Sequence, residues 1–389
     1  MPTPVRTLAL SAALLSVSAS TADAADLVRL NGSPMDVITN PRALAAYAGA
    51  NPAGRDVLER RARTGNPLWQ EAQAFLYIQG IGVAPDFARA QKLLAPLAAK
   101  KRPMAYEGLI QLHTQPGPQQ DFAKAARYAQ AYASVHPNGA AILGYFTTFG
   151  RGVTRNEKAG LGLIAEAVNK GSRRADYITA SFYLTGGPRP KDANLASIYL
   201  QSAVQKAEPQ ALMYLGNAQV TGNAGYRQNI KAGYANLNQA ARLGEGRAYE
   251  LIAYHQAYPP LGYKPNWKEA LRVARICGDG MNANCNHLAG YLRIQLTRNY
   301  RDPEALKRLK NAAAFGHERA TKLYLSSAAR LTDATDAAIL LEGRRRKLVA
   351  PADAQRLEAT LSSAARTAGP ARQPLIRLYA DAAAKQATP

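Results

Sequence analysis

The chain has 389 residues, with 49 Lys and Arg against 27 Asp and Glu, a formal charge of +22 and only two cysteines. A surplus of that size favours anionic partners without specifying a fold, and two cysteines exclude a disulfide-dense scaffold. A length well beyond ~300 residues exceeds what one compact core serves, which leaves several domains or a repeating array.

The opening stretch "MPTPVRTLALSAALLSVSASTADAADL" places Arg6 before an apolar run, Leu8 to Val17, and a small-residue site, Ala22-Asp23-Ala24. This layout predicts a cleavable signal peptide over 1–24, cut after Ala24, and hence a periplasmic or secreted protein. No cysteine follows the cut, which argues against a lipid anchor. No later run approaches ~18 uninterrupted apolar residues, so no transmembrane span is expected. Cleavage removes one charge of each sign, Arg6 and Asp23, and leaves the surplus intact. Outside the cytoplasm the matching partners are envelope proteins or an acidic polysaccharide, not nucleic acid.

Residues 25–67 read as a lead-in with a short helix, "PRALAAYAG", then "PAGRDVLERRARTG", a lone helix that caps an array. The array follows. Aligning "PDFARAQKLLAPLAAK", "QDFAKAARYAQAYAS", "RNEKAGLGLIAEAVNKG", "KDANLASIYLQSAVQKA", "QNIKAGYANLNQAARLG", "PNWKEALRVARICGDG" and "RDPEALKRLKNAAAFG" gives one alanine column: Ala90, Ala125, Ala159, Ala196, Ala232, Ala270 and Ala305. Its spacings are 35, 34, 37, 36, 38 and 35 residues, the period of a solenoid of two-helix units. Three or four residues before each column alanine stands Asp86, Asp121, Asn156, Asp192, Asn229, Asn266 or Asp302, the residue types that cap a helix start. Gly65, Gly171, Gly244 and Gly316 close helices as left-handed caps. The connections upstream align Gly80 with Gly150 and Gly82 with Gly152, while Gly186 and Gly222 repeat the first glycine.

Seven units result: 68–101, 102–136, 137–171, 172–207, 208–244, 245–280 and 281–316, with a final helix and a C-terminal helical cap over 317–389. Pro351 opens one cap helix, and "RQPLIRLYADAAAKQ" forms the last. The pattern Ala, Leu-Gly, an aromatic, Gly-x-Gly-Val, Asp-x-x-x-Ala and a closing Ala-Ala-x-x-Gly resembles the Sel-like repeat, a longer relative of the tetratricopeptide repeat. That resemblance implies an all-α, right-handed α-solenoid of antiparallel helix pairs, with a concave face for protein partners. It also extends to repeat scaffolds of exopolysaccharide secretion, including alginate-type systems.

No catalytic constellation stands out, and no cofactor or metal is expected. His113, His136, His255, His287 and His317 are dispersed, and neither a nucleophile elbow nor a Ser-x-x-Lys motif occurs. Arg60, Arg61 and Arg63, then Lys100, Lys101 and Arg102, then Lys170, Arg173 and Arg174 fall at junctions between units. Cations there complement helix C-terminal dipoles, and stacking could align them into a basic partner-binding edge. Tyr77, Tyr145, Tyr183 and Tyr214 fall within first helices, where a buried ring with a wet hydroxyl is expected.

"CGDGMNANC" holds both cysteines, Cys277 and Cys285. Cys277 occupies a position filled elsewhere by Leu97, Ala203 or Ala312, and Cys285 matches Ala211 and Ala248, so the pair spans the corner between units six and seven. A structural disulfide is the favoured reading, ahead of free thiols or a metal site. The stretch also resembles the secreted cysteine-rich branch of the repeat family, whose weak β-lactam-binding or hydrolysing activity stands as an alternative. The leading expectation is a non-enzymatic envelope scaffold.

Overall fold

The computed structural model describes residues 38–279 and 282–367. The signal segment, most of the lead-in and the last expected helix lie outside the described residues. Two helices come first, α1 (Pro41–Ala50) and α2 (Pro52–Ala62). Seven pairs follow: α3 (Pro67–Gln79) with α4 (Phe87–Ala99), α5 (Pro103–Thr114) with α6 (Phe122–Ala133), α7 (Pro137–Phe149) with α8 (Glu157–Asn169), and α9 (Arg173–Thr185) with α10 (Ala193–Gln205). The series continues with α11 (Pro209–Thr221) and α12 (Ile230–Arg242), α13 (Gly246–Ala257) and α14 (Trp267–Asp279), then α15 (Ala283–Thr297) and α16 (Pro303–Ala314). Last come α17 (Glu318–Ser327), α18 (Ala334–Arg345) and α19 (Pro351–Thr367). Among the described residues there is no strand. The fold is an all-α solenoid, each helix packing on its sequence neighbours.

Local chemistry starts and stops these helices. Asp86, Asp121, Asn156, Asp192, Asn229, Asn266 and Asp302 each accept a hydrogen bond from the backbone N–H three residues on, at 2.9 to 3.1 Å. Each such cap contributes about 1 kcal/mol by satisfying a donor the helix cannot. At the other end, the left-handed glycines Gly80, Gly150, Gly186 and Gly222 close α3, α7, α9 and α11.

The contact column departs from the alanine alignment in two units. Ala90, Ala125, Ala196, Ala270 and Ala305 are buried, but Ala159 is exposed and Ala232 only half-buried. Their neighbours Gly160 and Gly233 are buried instead. Each stands four residues after its cap, as do four of the buried alanines, because that position turns the side chain toward the preceding helix. A Cβ on Gly160 would lie 2.6 Å from the Gly144 carbonyl oxygen, and one on Gly233 would lie 2.8 Å from that of Gly216. In these units the helices touch backbone to backbone, which only glycine permits.

Curvature follows from which helices meet. Between α3 and α15 the close contacts that skip one helix are made by first helices, α3 with α5, α7 with α9, α11 with α13 and α13 with α15. The first helices therefore line the inner face. The core is a chain of clusters rather than one mass: Leu94 and Leu109 in one, Ile164 in the next, Leu200 and then Leu237 with Leu292 in those that follow, and Leu309, Leu325 and Leu357 in the last. The helix read as a lone cap, α2, is not alone, because α1 packs on both α2 and α3. That α1 also touches α12 shows the array turning back on its own beginning. Two contacts make this closure: Gly82 N–H donates to the Ile276 carbonyl at 3.2 Å, and a Cβ on Gly244 would meet Arg42 Cβ at 2.9 Å.

Candidate functional site

The basic edge does not survive as one surface. Arg60, Lys100 and Lys101 are exposed, Arg63 and Lys170 pair with Glu59 and Glu166 on their own helices, and Arg61 lies 4.8 Å over the Trp69 ring. Arg102, Arg173 and Arg174 point inward instead. Arg102, at the start of α5, reaches back to the fully buried Glu71 on α3 through Nε at 2.8 Å and Nη2 at 2.7 Å. The physical reason is position: a residue at the start of one first helix faces a neighbouring first helix, where a buried glutamate lies.

Arg173 and Arg174 extend this stitching into a chain of charge. Glu208, at the start of α11, is held by Arg174 Nη1 at 3.0 Å and Arg173 Nε at 3.2 Å, by charge more than by aligned hydrogen bonds. Arg174 also reaches Glu107 Oε1 on α5 at 3.4 Å, and Arg42 on α1 meets the same oxygen at 3.0 Å. Arg42 further donates to Gln111, and Arg174 to Gln210. Four helices that are not neighbours in sequence, α1, α5, α9 and α11, are thus tied across the inside of the turn. No motif announced Glu107, Glu208 or Arg42; isolated acids inside apolar first helices were the available signal.

Burial pushes the Glu107 carboxyl up, but Arg42, Arg174 and Arg173 outweigh it and hold the group below the ordinary carboxylate range. For Glu208 burial wins, and its carboxyl stays above that range despite Arg174 and Arg173. Burial also opposes the Arg174 charge, which Glu208 and Glu107 more than restore.

A cavity of about 640 Å³ lies inside this closed turn. Glu107, Arg42 and Arg174 line it together with Arg151, Arg247 and an apolar wall that includes Ile142 and Ile178. A second concavity of about 670 Å³ opens further along the first helices, between α13, α15 and α17. Leu251, Tyr254, Tyr258, His287, Leu288 and His317 line it. His287 and His317 stack there with ring centroids 4.3 Å apart. Burial, then the neighbouring His317 and Arg319, push the His287 imidazole down to about 4. The neutral ring is therefore favoured in the fold, so its stabilising contribution is fully present above the unfolded value near ~6.5 and is lost as the pH falls from there through the folded value of about 4. Acidification from neutral pH should loosen the α15–α17 region in a circular dichroism titration, and His287→Phe should remove that component.

Cys277 and Cys285 are joined in a disulfide with Cα atoms 5.8 Å apart. Both are buried, as are Leu97, Ala203, Ala312, Ala211 and Ala248 at the matching positions. The staple clamps the corner beside Ile276, the residue that receives the closure bond from Gly82. Replacing both cysteines with serine should cost about 2–3 kcal/mol and abolish the response of the urea midpoint to reductant. The wild-type protein should take up maleimide only after reduction; labelling of both sulfurs in the native, unreduced protein would refute the staple.

Among the described residues no group of three or more His, Cys, Asp and Glu side chains gathers to hold a metal ion. His113 bonds to the Gln119 carbonyl, His255 to Asn217, and His136 caps α7, so the histidines are distributed over separate structural tasks. Tyr77, Tyr145, Tyr183 and Tyr214 are half-buried within their first helices. No helix among the described residues is long and apolar enough to cross a membrane.

No family model matches the chain, and no curated protein matches it. Among solved structures it is similar to a protective antigen of uropathogenic Escherichia coli strains that displays an SLR fold, at a TM-score of 0.47 and 15% identity over 86% of this chain and 72% of that one. It is also similar to a Sel1 repeat protein from Oxalobacter formigenes, at a TM-score of 0.43 and 19% identity over 58% of this chain and 93% of that one. Both structures are Sel1 repeat (SLR) proteins, built from the repeat that the aligned alanine columns resemble.

Proposed function

We propose that the chain is an exported, non-enzymatic scaffold of the bacterial cell envelope that holds an acidic protein partner on the open part of its concave face. The observation that carries this reading is the groove between α13, α15 and α17, flanked by apolar side chains that are exposed among the described residues. Tyr254 and Tyr258 on its wall are 52% and 45% exposed, and Leu261, in the connection that follows, is fully exposed. Clustered exposed aromatics of this kind mark partner surfaces, and the +22 surplus selects acidic partners for them. The signal pattern and the disulfide both fit an oxidising compartment outside the cytoplasm. A place in exopolysaccharide assembly is the finer reading, supported by the charge and by the resemblance to repeat scaffolds of such systems.

Crosslinking in living cells with a photoreactive residue at position 258, read by mass spectrometry, should capture one dominant envelope protein. The double variant Tyr254→Ser, Tyr258→Ser should abolish that crosslink from a reporter at position 261. Capture that is unchanged by the double variant, or turnover of a chromogenic β-lactam co-eluting with the purified protein, would overturn the scaffold reading. Retention on an acidic polysaccharide column that survives about 0.3 M salt, where exposed charges are largely screened, would favour a polymer as the partner instead.

A further inference from the structure

We propose that the cavity inside the closed turn binds a compact organic carboxylate whose body carries apolar and amide groups, the chemistry of an acylated dipeptide. This site is separate from the open groove, and it holds whether or not that groove docks a protein. At about 640 Å³ the cavity falls within the range of roughly 300–1,000 Å³ that small-ligand sites occupy. The α1–α12 contact and the Gly82–Ile276 bond close the turn around it, so its volume suits a small molecule rather than a folded domain.

The charge of the wall points to an anion. Arginines 42, 151, 174 and 247 line the cavity against two glutamates, 107 and 245. Arg42 and Arg174 are committed to Glu107, with Glu208 behind Arg174, and the Glu245 carboxylate accepts the Arg247 backbone N–H at the start of α13. The Arg151 and Arg247 side chains form no ion pair with a carboxylate among the described residues, so they are the two cations left for a ligand. Arg151 is placed by the rings beneath it, 5.2 Å above Tyr145 and 5.7 Å above Phe122, which fixes its guanidinium without neutralising it.

The polar groups of the wall point to amides. Both side-chain polar atoms of Gln79 are buried without a hydrogen-bond partner among the described residues, and so is Glu107 Oε2 on a side chain only 6% exposed. Each such orphan is costly unless something in the cavity supplies its partner. Gln79 can both donate to and accept from an amide, and Glu107 Oε2 can accept an N–H. Ile142 and Ile178 supply the apolar surface for the body between.

The test uses the exported protein with its disulfide intact and 8-anilinonaphthalene-1-sulfonate, an anionic aromatic probe whose fluorescence rises on burial. We expect one saturable site. N-acetyl-phenylalanyl-leucine should displace the probe at millimolar concentration, and its methyl ester should compete about tenfold more weakly or worse, since it lacks the charge that Arg151 and Arg247 recognise. The double variant Arg151→Glu, Arg247→Glu changes two exposed side chains and should keep the wild-type melting curve while weakening probe binding by about tenfold or more. Tyr254→Ser with Tyr258→Ser, in the open groove, should leave probe binding unchanged. Absence of a saturable site, equal competition by acid and ester, no competition by either, or full binding in the arginine double variant would overturn the proposal and leave the cavity to water. Probe binding lost only in the tyrosine variant would place the site in the groove and overturn it as well.

Discussion

Glu107→Ala should lower the stability of the fold by about 3–5 kcal/mol, the cost of leaving buried charges without their partner. Glu107 is the hinge of the inner charge chain: its Oε1 receives both Arg42 at 3.0 Å and Arg174 at 3.4 Å, and its side chain is 6% exposed. Truncation removes the carboxylate that Arg42 and Arg174 share between α1, α5 and α9, leaving Arg42 with Gln111 while Arg174 keeps Glu208. Urea unfolding followed by circular dichroism is the direct measurement, with the early units expected to melt first because a repeat array unfolds by neighbours. A loss under about 1 kcal/mol, the scale of exposed pairs, would show that the cluster is solvated rather than structural. The pH dependence has a defined sign. The folded Glu107 carboxyl sits below its ordinary value, so its contribution is present above the unfolded value and disappears as pH falls through the folded one. Glu208, raised by burial, works in the opposite sense, its contribution present below the unfolded value and lost as pH rises through the folded one. Glu107→Ala should therefore flatten the acid limb of the stability profile, whereas Glu208→Gln should leave that limb in place.

Gly160→Leu and Ala159→Leu, adjacent and chemically similar changes, should differ by more than about 3 kcal/mol. A Cβ on Gly160 would lie 2.3 Å from Thr148 Oγ1, 2.5 Å from the Thr148 nitrogen and 2.6 Å from the Gly144 carbonyl oxygen, two of them backbone atoms that cannot step aside. That Cβ and the three carbons beyond it must force α7 and α8 apart, opening the pair and the cluster around Ile164. Ala159 faces solvent, so leucine at that position should move stability by no more than about 0.5 kcal/mol. Thermal melts of both variants suffice. Equal behaviour would mean that the alanine column, not the buried glycine, marks the contact.

These two positions show where the residues spoke plainly and where they did not. The period of the array was legible because every unit repeats a cap, an apolar stripe and a glycine stop, and each of these acts within a few residues of itself. Asp86 or Asn229 caps its helix wherever that helix packs. Which of two adjacent small residues touches the next helix was not legible, since alanine and glycine both read as small and a one-residue shift turns the contact face by about 100°. Ala159 and Ala232 kept the column's residue type while Gly160 and Gly233 took its position. The cysteine corner was readable for the opposite reason, because two cysteines on either side of a turn between packed helices have few other places to be.

The charged junctions mark the deeper limit. Arg102, Arg173 and Arg174 look like their exposed neighbours Lys100 and Lys101, and nothing local separates a cation on the rim from one turned toward a buried acid. Their partners lie 31, 35 and 34 residues away for Glu71, Glu208 and Glu208, and 67 residues away where Arg174 meets Glu107. Short-range chemistry was sufficient to specify helices, caps and an array, because those depend on neighbours within one or two turns. The angle between successive pairs, and with it the return of α12 and α14 onto α1 and Gly82, is the sum of many small packing rotations that no single segment encodes. That closure made a cavity out of a concave face and an internal charge chain out of a basic edge, since only in three dimensions do a residue at one end of the turn and a residue at the other line the same space.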